Sequence, residues 1–148
     1  DHVYLTRISQ AKSWYEILLH LEEYFDRLRL LLGGCGGQEV KAIPRVVQYI
    51  DENYAQRITL NGLAELVHLS PSYLSRRFHQ EMGMPIRDYM IQKRMGHACR
   101  LLQTSALSIR EVSEMCGFSN LSYFYNICKK QTGVSPAQLR RQATDTEV

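Results

Sequence analysis

The sequence predicts an all-α fold: two helix-turn-helix subdomains joined by a long connecting helix, with an amphipathic helix ahead of them. Three observations predict it. Apolar residues recur at helical spacing, no stretch shows the sustained alternation of a strand, and one helix-turn-helix pattern occurs twice. With 148 residues, 45% of them hydrophobic, the chain is long enough to bury a core. We divide it into an upstream helix and hinge (1–40), a helical module (41–142) and a tail (143–148).

Residues 9–32 contain neither Pro nor Gly and predict one amphipathic helix. Its apolar side chains recur at alternating spacings of four and three, which is a heptad seam. Such a helix pairs with its own copy in a dimer, pairs with an upstream domain, or packs on its own module, and the sequence leaves these alternatives open. The seam consists of Trp14, Leu18, Leu21, Phe25, Leu28 and Leu32.

A glycine-rich stretch, GGCGG at 33–37, follows this helix. Each glycine in a helix costs about 1 kcal/mol relative to alanine, so the helix ends here. No Lys-Ser or Lys-Thr pair follows it, as a phosphate-binding loop requires. The stretch is therefore interpreted as a hinge.

The first helix-turn-helix is predicted over 58–83. Thr59 is the predicted N-cap of its first helix, which is expected to end near Ser70. Ser70 then caps the second helix, with Pro71 at the first helical position and Gly83 at the end. These signals predict two short helices with a tight turn between them.

The same pattern recurs about fifty residues later, over 108–133. The two stretches align after one extra residue near Leu121, apolar residue against apolar residue, and Gly83 matches Gly133. The segment between the copies predicts one connecting helix over 85–103. Two copies of a helix-turn-helix joined by one helix are suited to contacting an elongated, rod-shaped partner at two places.

In the second helix of each copy, the side that the core does not need carries hydrogen-bonding residues. Leu74 and Phe78 define the inward side in the first copy, and Phe124, Ile127 and Cys128 define it in the second. A DNA major groove accepts one helix, and there arginine pairs with guanine and asparagine with adenine. The predicted base contacts are Ser72, Ser75, Arg76 and His79 in the first copy and Ser122, Tyr125 and Asn126 in the second, with Arg76 and Asn126 the main readers.

Charge is distributed unevenly: residues 1–40 carry a net −2 and the remainder +5, within a total of +3. A basic module of this size favours a polyanion as partner. The alternative is a helical protein-interaction or dimerisation module without specific DNA readout, in which the basic residues only confer solubility. The predicted DNA-phosphate contacts are Arg77, Arg87, Lys93, Arg100, Lys129 and Lys130. For Arg77 the alternative is a pair with an acid of its own module, and for Arg94 the expectation is a brace that pairs with Glu65 or Asp88.

Several function classes find no support in the sequence. The four cysteines and five histidines show no spacing typical of a zinc site or a disulfide framework. No nucleophile, base and orienting group occur together, so we expect neither an enzyme nor a cofactor. No apolar run approaches the ~18 residues of a membrane span, and no signal peptide is evident, so we expect a cytoplasmic protein without membrane contact.

From LAELV at 63–67 to Arg140, the chain resembles the DNA-binding domain of the AraC/XylS family of transcription regulators. The matching elements are SYLSRRF, Arg94 with Ala98 and the following LL, GFSNLSYF, Lys129 with Lys130, TGVSP and Arg140. The resemblance covers roughly 43–142 and makes 41–142 an AraC-type DNA-binding domain. It implies seven helices, with recognition helices in successive major grooves of double-stranded DNA. It also implies the output domain of a regulator, usually an activator, with RNA polymerase and an upstream sensor or receiver domain as partners.

The second subdomain departs from the family pattern. Cys128 stands where the family usually has phenylalanine, Asn126 where it often has arginine, and Leu139 where an aromatic is usual. Loss of core volume predicts looser packing unless Tyr123 or Tyr125 fills the space. We therefore expect the second recognition helix to contribute less base specificity than the first.

Overall fold

The structure, a computed structural model, describes residues 41–145 and, ahead of them, residues 17, 18, 20, 21, 24, 25, 27 and 28, which are helical. Trp14, Leu32 and the glycine-rich hinge lie outside the described residues. Over 41–145 the chain forms seven helices and no strand, which confirms the all-α prediction. No helix among the described residues is both long and apolar enough to cross a bilayer. The helices are α1 Ala42–Asn53, α2 Leu60–Leu66, α3 Pro71–Met82, α4 Ile86–Thr104, α5 Ile109–Met115, α6 Leu121–Thr132 and α7 Pro136–Asp145.

The described module divides into two compact units. The first unit contains residues 41–48 and 59–86, and the second contains residues 49–58 and 87–145. The first boundary thus falls inside α1, so the end of that helix and the loop after it belong to the second unit. Helices α2 and α3 fall in the first unit, and α5 and α6 fall in the second, as expected for two helix-turn-helix subdomains.

Helix starts in the first unit follow the predicted capping signals. The Thr59 hydroxyl accepts a hydrogen bond from the Gly62 N–H at 3.1 Å, and the Ser70 hydroxyl accepts one from the Tyr73 N–H at 3.3 Å. Each satisfies an N–H that has no partner within the helix. In the second unit Ser108 caps α5, and its own N–H donates to the Glu111 carboxylate at 2.7 Å, which completes a capping box.

Both turns of the repeated motif have the same backbone geometry. Helix α2 ends at Leu66, before the expected end near Ser70, because His68 adopts a left-handed conformation with φ 56°. In the second motif Gly117 occupies the matching position with φ 82°. The N–H of each of these residues donates to the carbonyl three residues earlier, and the next N–H to the carbonyl five earlier, at 3.0–3.2 Å in all four bonds. This is a Schellman motif, used once in each unit.

Each unit buries an apolar core. In the first unit, α3 contributes Leu74 and Phe78, both fully buried as predicted, and α2 contributes Leu63. The core of the second unit is built by α4, α5 and α6 together with the turn at Phe118. Its buried residues are Met95, Ala98, Leu102, Val112, Cys116, Phe118, Phe124 and Cys128.

Cys128 is fully buried, but the tyrosines considered from the sequence are not buried with it. Tyr123 and Tyr125 are both 37% exposed. Instead Phe124 and Phe118, with ring centroids 5.1 Å apart, share the core with Cys128. The Cys128 thiol also lies 3.6 Å from the Val134 carbonyl oxygen, to which it donates. The larger residue of the buried pair thus comes first in α6, at Phe124, whereas in α3 it comes second, at Phe78.

Replacing Cys128 by phenylalanine is therefore expected to destabilise the chain by about 1 to 3 kcal/mol, the usual cost of overpacking a filled core. Urea unfolding followed by circular dichroism measures this. Cys128→Ala is the companion variant, since it removes volume instead of adding it. A gain in stability for Cys128→Phe would show instead that the second unit is loosely packed.

Candidate nucleic-acid interface

The first polar face, defined as Ser72, Ser75, Arg76 and His79, lies on α3. It is positioned by Leu74 and Phe78, which are fully buried and fix the rotation of the helix about its axis. His79 is exposed, whereas the other three side chains are half-buried. The four residues recur at helical spacing on the side away from the buried pair, as the sequence predicted.

The second polar face, defined as Ser122, Tyr125, Asn126 and Lys129, lies on α6. Phe124 and Cys128 are fully buried and orient this helix as Leu74 and Phe78 orient α3. All four residues of the face are exposed. The Tyr125 ring meets the Phe124 ring edge-on at 6.4 Å, and the Tyr125 side chain is partly exposed beside the core. A polar helix face of this kind matches the donors and acceptors of a major groove.

The predicted phosphate contacts fall into two groups. Arg87, Arg100, Lys129 and Lys130 are exposed. Arg77 instead donates from Nε to the Glu81 carboxylate at 2.8 Å along α3, as the alternative for that residue predicted. Contact with a phosphate would have to compete with this pair, which is partly exposed and therefore weak.

Lys93 also has an acidic partner. Its Nζ lies 3.1 Å from the Asp51 carboxylate and 5.3 Å from the centroid of the Tyr89 ring. The Tyr89 hydroxyl donates to the same carboxylate at 3.2 Å. The hydrogen bond with Asp51 raises the pKa of Lys93, and burial is the main cause of the raised pKa of Tyr89. Within the second unit, this cluster ties the end of α1 to α4.

Arg94 donates to backbone carbonyls and not to the carboxylates considered from the sequence. Its Nε donates to the Tyr54 carbonyl at 2.7 Å and its Nη2 to the Gln56 carbonyl at 2.8 Å. Burial lowers the pKa of the guanidinium. Arg94 forms part of an open cleft of about 580 Å³ in the second unit, which Gly117 and the residues of the following turn also line.

Arg140 makes an equivalent contact from α7. Its Nε donates to the Leu102 carbonyl at 3.3 Å and its Nη2 to the Leu107 carbonyl at 2.5 Å. The sequence marks both arginines but does not predict this role, because every residue carries a carbonyl and the acceptors leave no pattern in the sequence.

A family model described as a helix-turn-helix domain matches residues 63–142, more than half of the chain. The chain belongs to the AraC/XylS-type helix-turn-helix family. Members of this family are DNA-binding domains of transcription regulators, which does not favour the protein-interaction alternative.

Solved AraC/XylS-type structures share the fold. The C-terminal domain of AraT, a response regulator from Geobacillus stearothermophilus, is 38% identical with a TM-score of 0.66, over 68% of this chain and 84% of that one. The DNA-binding domain of AdpA, a global transcriptional factor solved with its target DNA, is 30% identical with a TM-score of 0.65, over 68% of this chain and 90% of that one.

Among curated relatives, the HTH-type transcriptional regulator YijO of Escherichia coli K12 is 37% identical over 94 residues. That match covers 64% of this chain but only 33% of YijO. AdaA of Bacillus subtilis, a bifunctional transcriptional activator and DNA repair enzyme, is 32% identical and is covered over 46% of its length. The chain therefore spans less than half of these relatives.

Proposed function

We propose that this chain is the output portion of a transcription regulator that binds specific sequences in double-stranded DNA, with α3 and α6 in successive major-groove segments. The repeated motif carries the proposal: in each copy two buried side chains fix the second helix, and residues on the side away from them form a polar face. Arg76 and Asn126 read bases, supported by Ser72, Ser75, His79, Ser122 and Tyr125. Their donors match guanine and adenine edges.

Phosphate contacts supply most of the affinity in this proposal. Arg87, Arg100, Lys129 and Lys130 are exposed, as a contact with a DNA phosphate requires. Arg77 and Lys93 give up an ion pair when they bind a phosphate, so each adds less. Every phosphate neutralised steepens the dependence of binding on salt by about one unit of slope.

We propose that the whole protein is a cytoplasmic regulator, an activator that contacts RNA polymerase and answers to an upstream sensor or receiver domain. The similarity to AraT, a response regulator, and to AdaA, a transcriptional activator, supports this assignment. We also propose that the heptad seam pairs with a second copy of the chain. In support, Leu18 and Phe25 lie seven residues apart and are 58% and 56% exposed.

Arg76→Ala tests base reading. Specific binding should weaken by about 1 to 3 kcal/mol with little change in non-specific binding, because one bidentate base contact is lost. Specific duplexes are first selected from a random library with the wild-type chain. The affinity of each variant is then measured by titration on these duplexes and on scrambled duplexes of the same composition. Asn126→Ala is the equivalent change in the second half-site.

Arg77→Ala is the matched control on the same helix. As a phosphate contact, Arg77 should contribute equally to both kinds of duplex, so its loss should leave the sequence preference intact. Base reading by α3 is refuted if Arg76→Ala also leaves the preference unchanged.

A further inference from the structure

We infer that Arg94 and Arg140 are positioning residues that hold the two lead-in loops, defined as residues 54–58 ahead of α2 and residues 105–107 ahead of α5. Neither guanidinium needs to touch DNA for this role. Each fixes the point from which a helix-turn-helix starts. The inference rests on the proposed function, since its consequence is the placement of α3 and α6 for DNA binding.

The contacts of Arg94 bracket the first lead-in loop. Helix α1 ends at Asn53, and the carbonyls that Arg94 holds belong to the first and third residues of the loop. The second of them, on Gln56, lies three residues before Thr59, the N-cap of α2. The partly buried Arg94 side chain therefore fixes the backbone just before that helix begins.

Arg140 brackets the second lead-in loop in the same manner. It holds the carbonyl of Leu102, in the last turn of α4, and that of Leu107, directly before the N-cap Ser108. In both cases the arginine comes from the helix that follows the motif. In both cases one guanidinium spans the end of one helix and the approach to the next.

The chemistry explains why arginine suits both positions. The last carbonyls of a helix have no N–H partner within the helix and attract a cation. A guanidinium presents several N–H donors in a fixed plane and can hold two acceptors at once, whereas an ammonium is a point charge on a flexible stem. Two N–H groups already committed to carbonyls are not available for bidentate contact with a phosphate.

Displacement of a lead-in loop is transmitted to DNA binding through packing. Helix α2 packs on α3 and α5 packs on α6. A shift in the start of α2 or α5 therefore moves the polar face that its partner helix carries. Binding faces tolerate little looseness in the residues that support them.

The test compares Arg94→Lys and Arg140→Lys with Arg100→Lys, an exposed arginine on α4, in the 148-residue chain. Amide hydrogen exchange without DNA is the first measurement. Exchange after Arg94→Lys should rise about tenfold at 54–58 only, and after Arg140→Lys at 105–107 only, as expected for the loss of a charged hydrogen bond. Arg100→Lys should change neither loop.

DNA binding is the second measurement. Each positioning variant should bind about tenfold more weakly with an unchanged slope of log affinity against log salt, because no phosphate contact is lost. In footprints, Arg94→Lys should weaken the half-site that Arg76→Ala weakens, and Arg140→Lys the half-site that Asn126→Ala weakens. A general loss of stability would weaken both halves alike.

Unchanged exchange in both loops overturns the inference, and so does a salt slope that falls by about one unit, which would mark a phosphate contact. Equal weakening of both half-sites by either variant also overturns it. If the wild-type chain enriches no duplex, the proposed function fails, and the exchange measurement still decides whether the arginines hold the loops.

Discussion

Replacing Gly117 by alanine is expected to lower the free energy of unfolding by about 2 to 5 kcal/mol. The left-handed conformation, φ 82°, costs an alanine about 1 to 2 kcal/mol. The added Cβ would also lie 2.7 Å from the carbonyl oxygen of Ala55, a backbone atom that cannot rotate away. Relieving such a contact adds about 1 to 3 kcal/mol. Urea unfolding followed by circular dichroism measures the sum.

Gly133→Ala is the matched control. Gly133 has nearly the same backbone conformation, φ 81°, but a Cβ built there meets no atom within 4 Å. The control therefore pays only for the conformation, and the difference between the two variants isolates the contact with Ala55. His68 shows that the turn itself accepts a side chain, since it adopts the same conformation in the first unit, where it is exposed.

Ala55 belongs to the first lead-in loop, between the two residues whose carbonyls Arg94 holds. Gly117→Ala should therefore disturb that loop as well, and its hydrogen exchange should rise in the variant. Equal destabilisation by Gly117→Ala and Gly133→Ala would show that Ala55 moves aside at little cost. The close contact would then have no part in holding the loop.

Local backbone chemistry is the part of the structure that the sequence predicted well. Three features follow from short-range preferences. They are the caps at Thr59 and Ser70, the left-handed glycines at the ends of α3 and α6, and the rotation of both recognition helices. These depend on side chains within one or two turns of each other, so a single sequence contains the information. The connecting helix, predicted over 85–103, is found one residue further on, at Ile86–Thr104.

One local feature and several long-range contacts were harder to predict. The early end of α2 was missed because a positive φ is uncommon for any residue other than glycine, so His68 does not mark the end of a helix as a glycine would. The partners of Lys93 and Arg94 lie about forty residues earlier in the chain, at Asp51 and in the first lead-in loop. Nothing in the spacing of the residues indicates such contacts. They depend on the end of α1 packing within the second unit.

The sequence predicted which residues form the two polar faces, but not how exposed those residues are. Both polar faces occur where the sequence placed them. Their exposure differs, since only His79 is exposed on the first face whereas all of the second face is. Burial depends on neighbours distant in the sequence, so helical periodicity alone does not determine it. The expected difference in base specificity between the two helices stays a prediction, which Arg76→Ala and Asn126→Ala compare directly.

Replacing both Leu18 and Phe25 by glutamate is expected to weaken binding to a doubled site, a duplex that carries two adjacent binding sites, about 100- to 10,000-fold. Linked binding of two copies multiplies affinity by that order, and the gain disappears when the copies separate. Both side chains belong to the heptad seam and are more than half exposed in a single chain, so the variant removes apolar surface that a partner would cover. Electrophoretic titration on single and doubled sites, with sedimentation on the doubled site, measures the change.

Arg27→Glu is the matched control, because it changes the net charge by the same −2 at an exposed position outside the seam. A seam of about two and a half heptads is short for a stable coiled coil, so pairing should be strongest where DNA holds two copies close together. Affinity for a single site should therefore be the same in wild type and both variants. If the double variant instead loses stability and affinity on single sites, the helix packs on its own module and the dimer proposal is wrong.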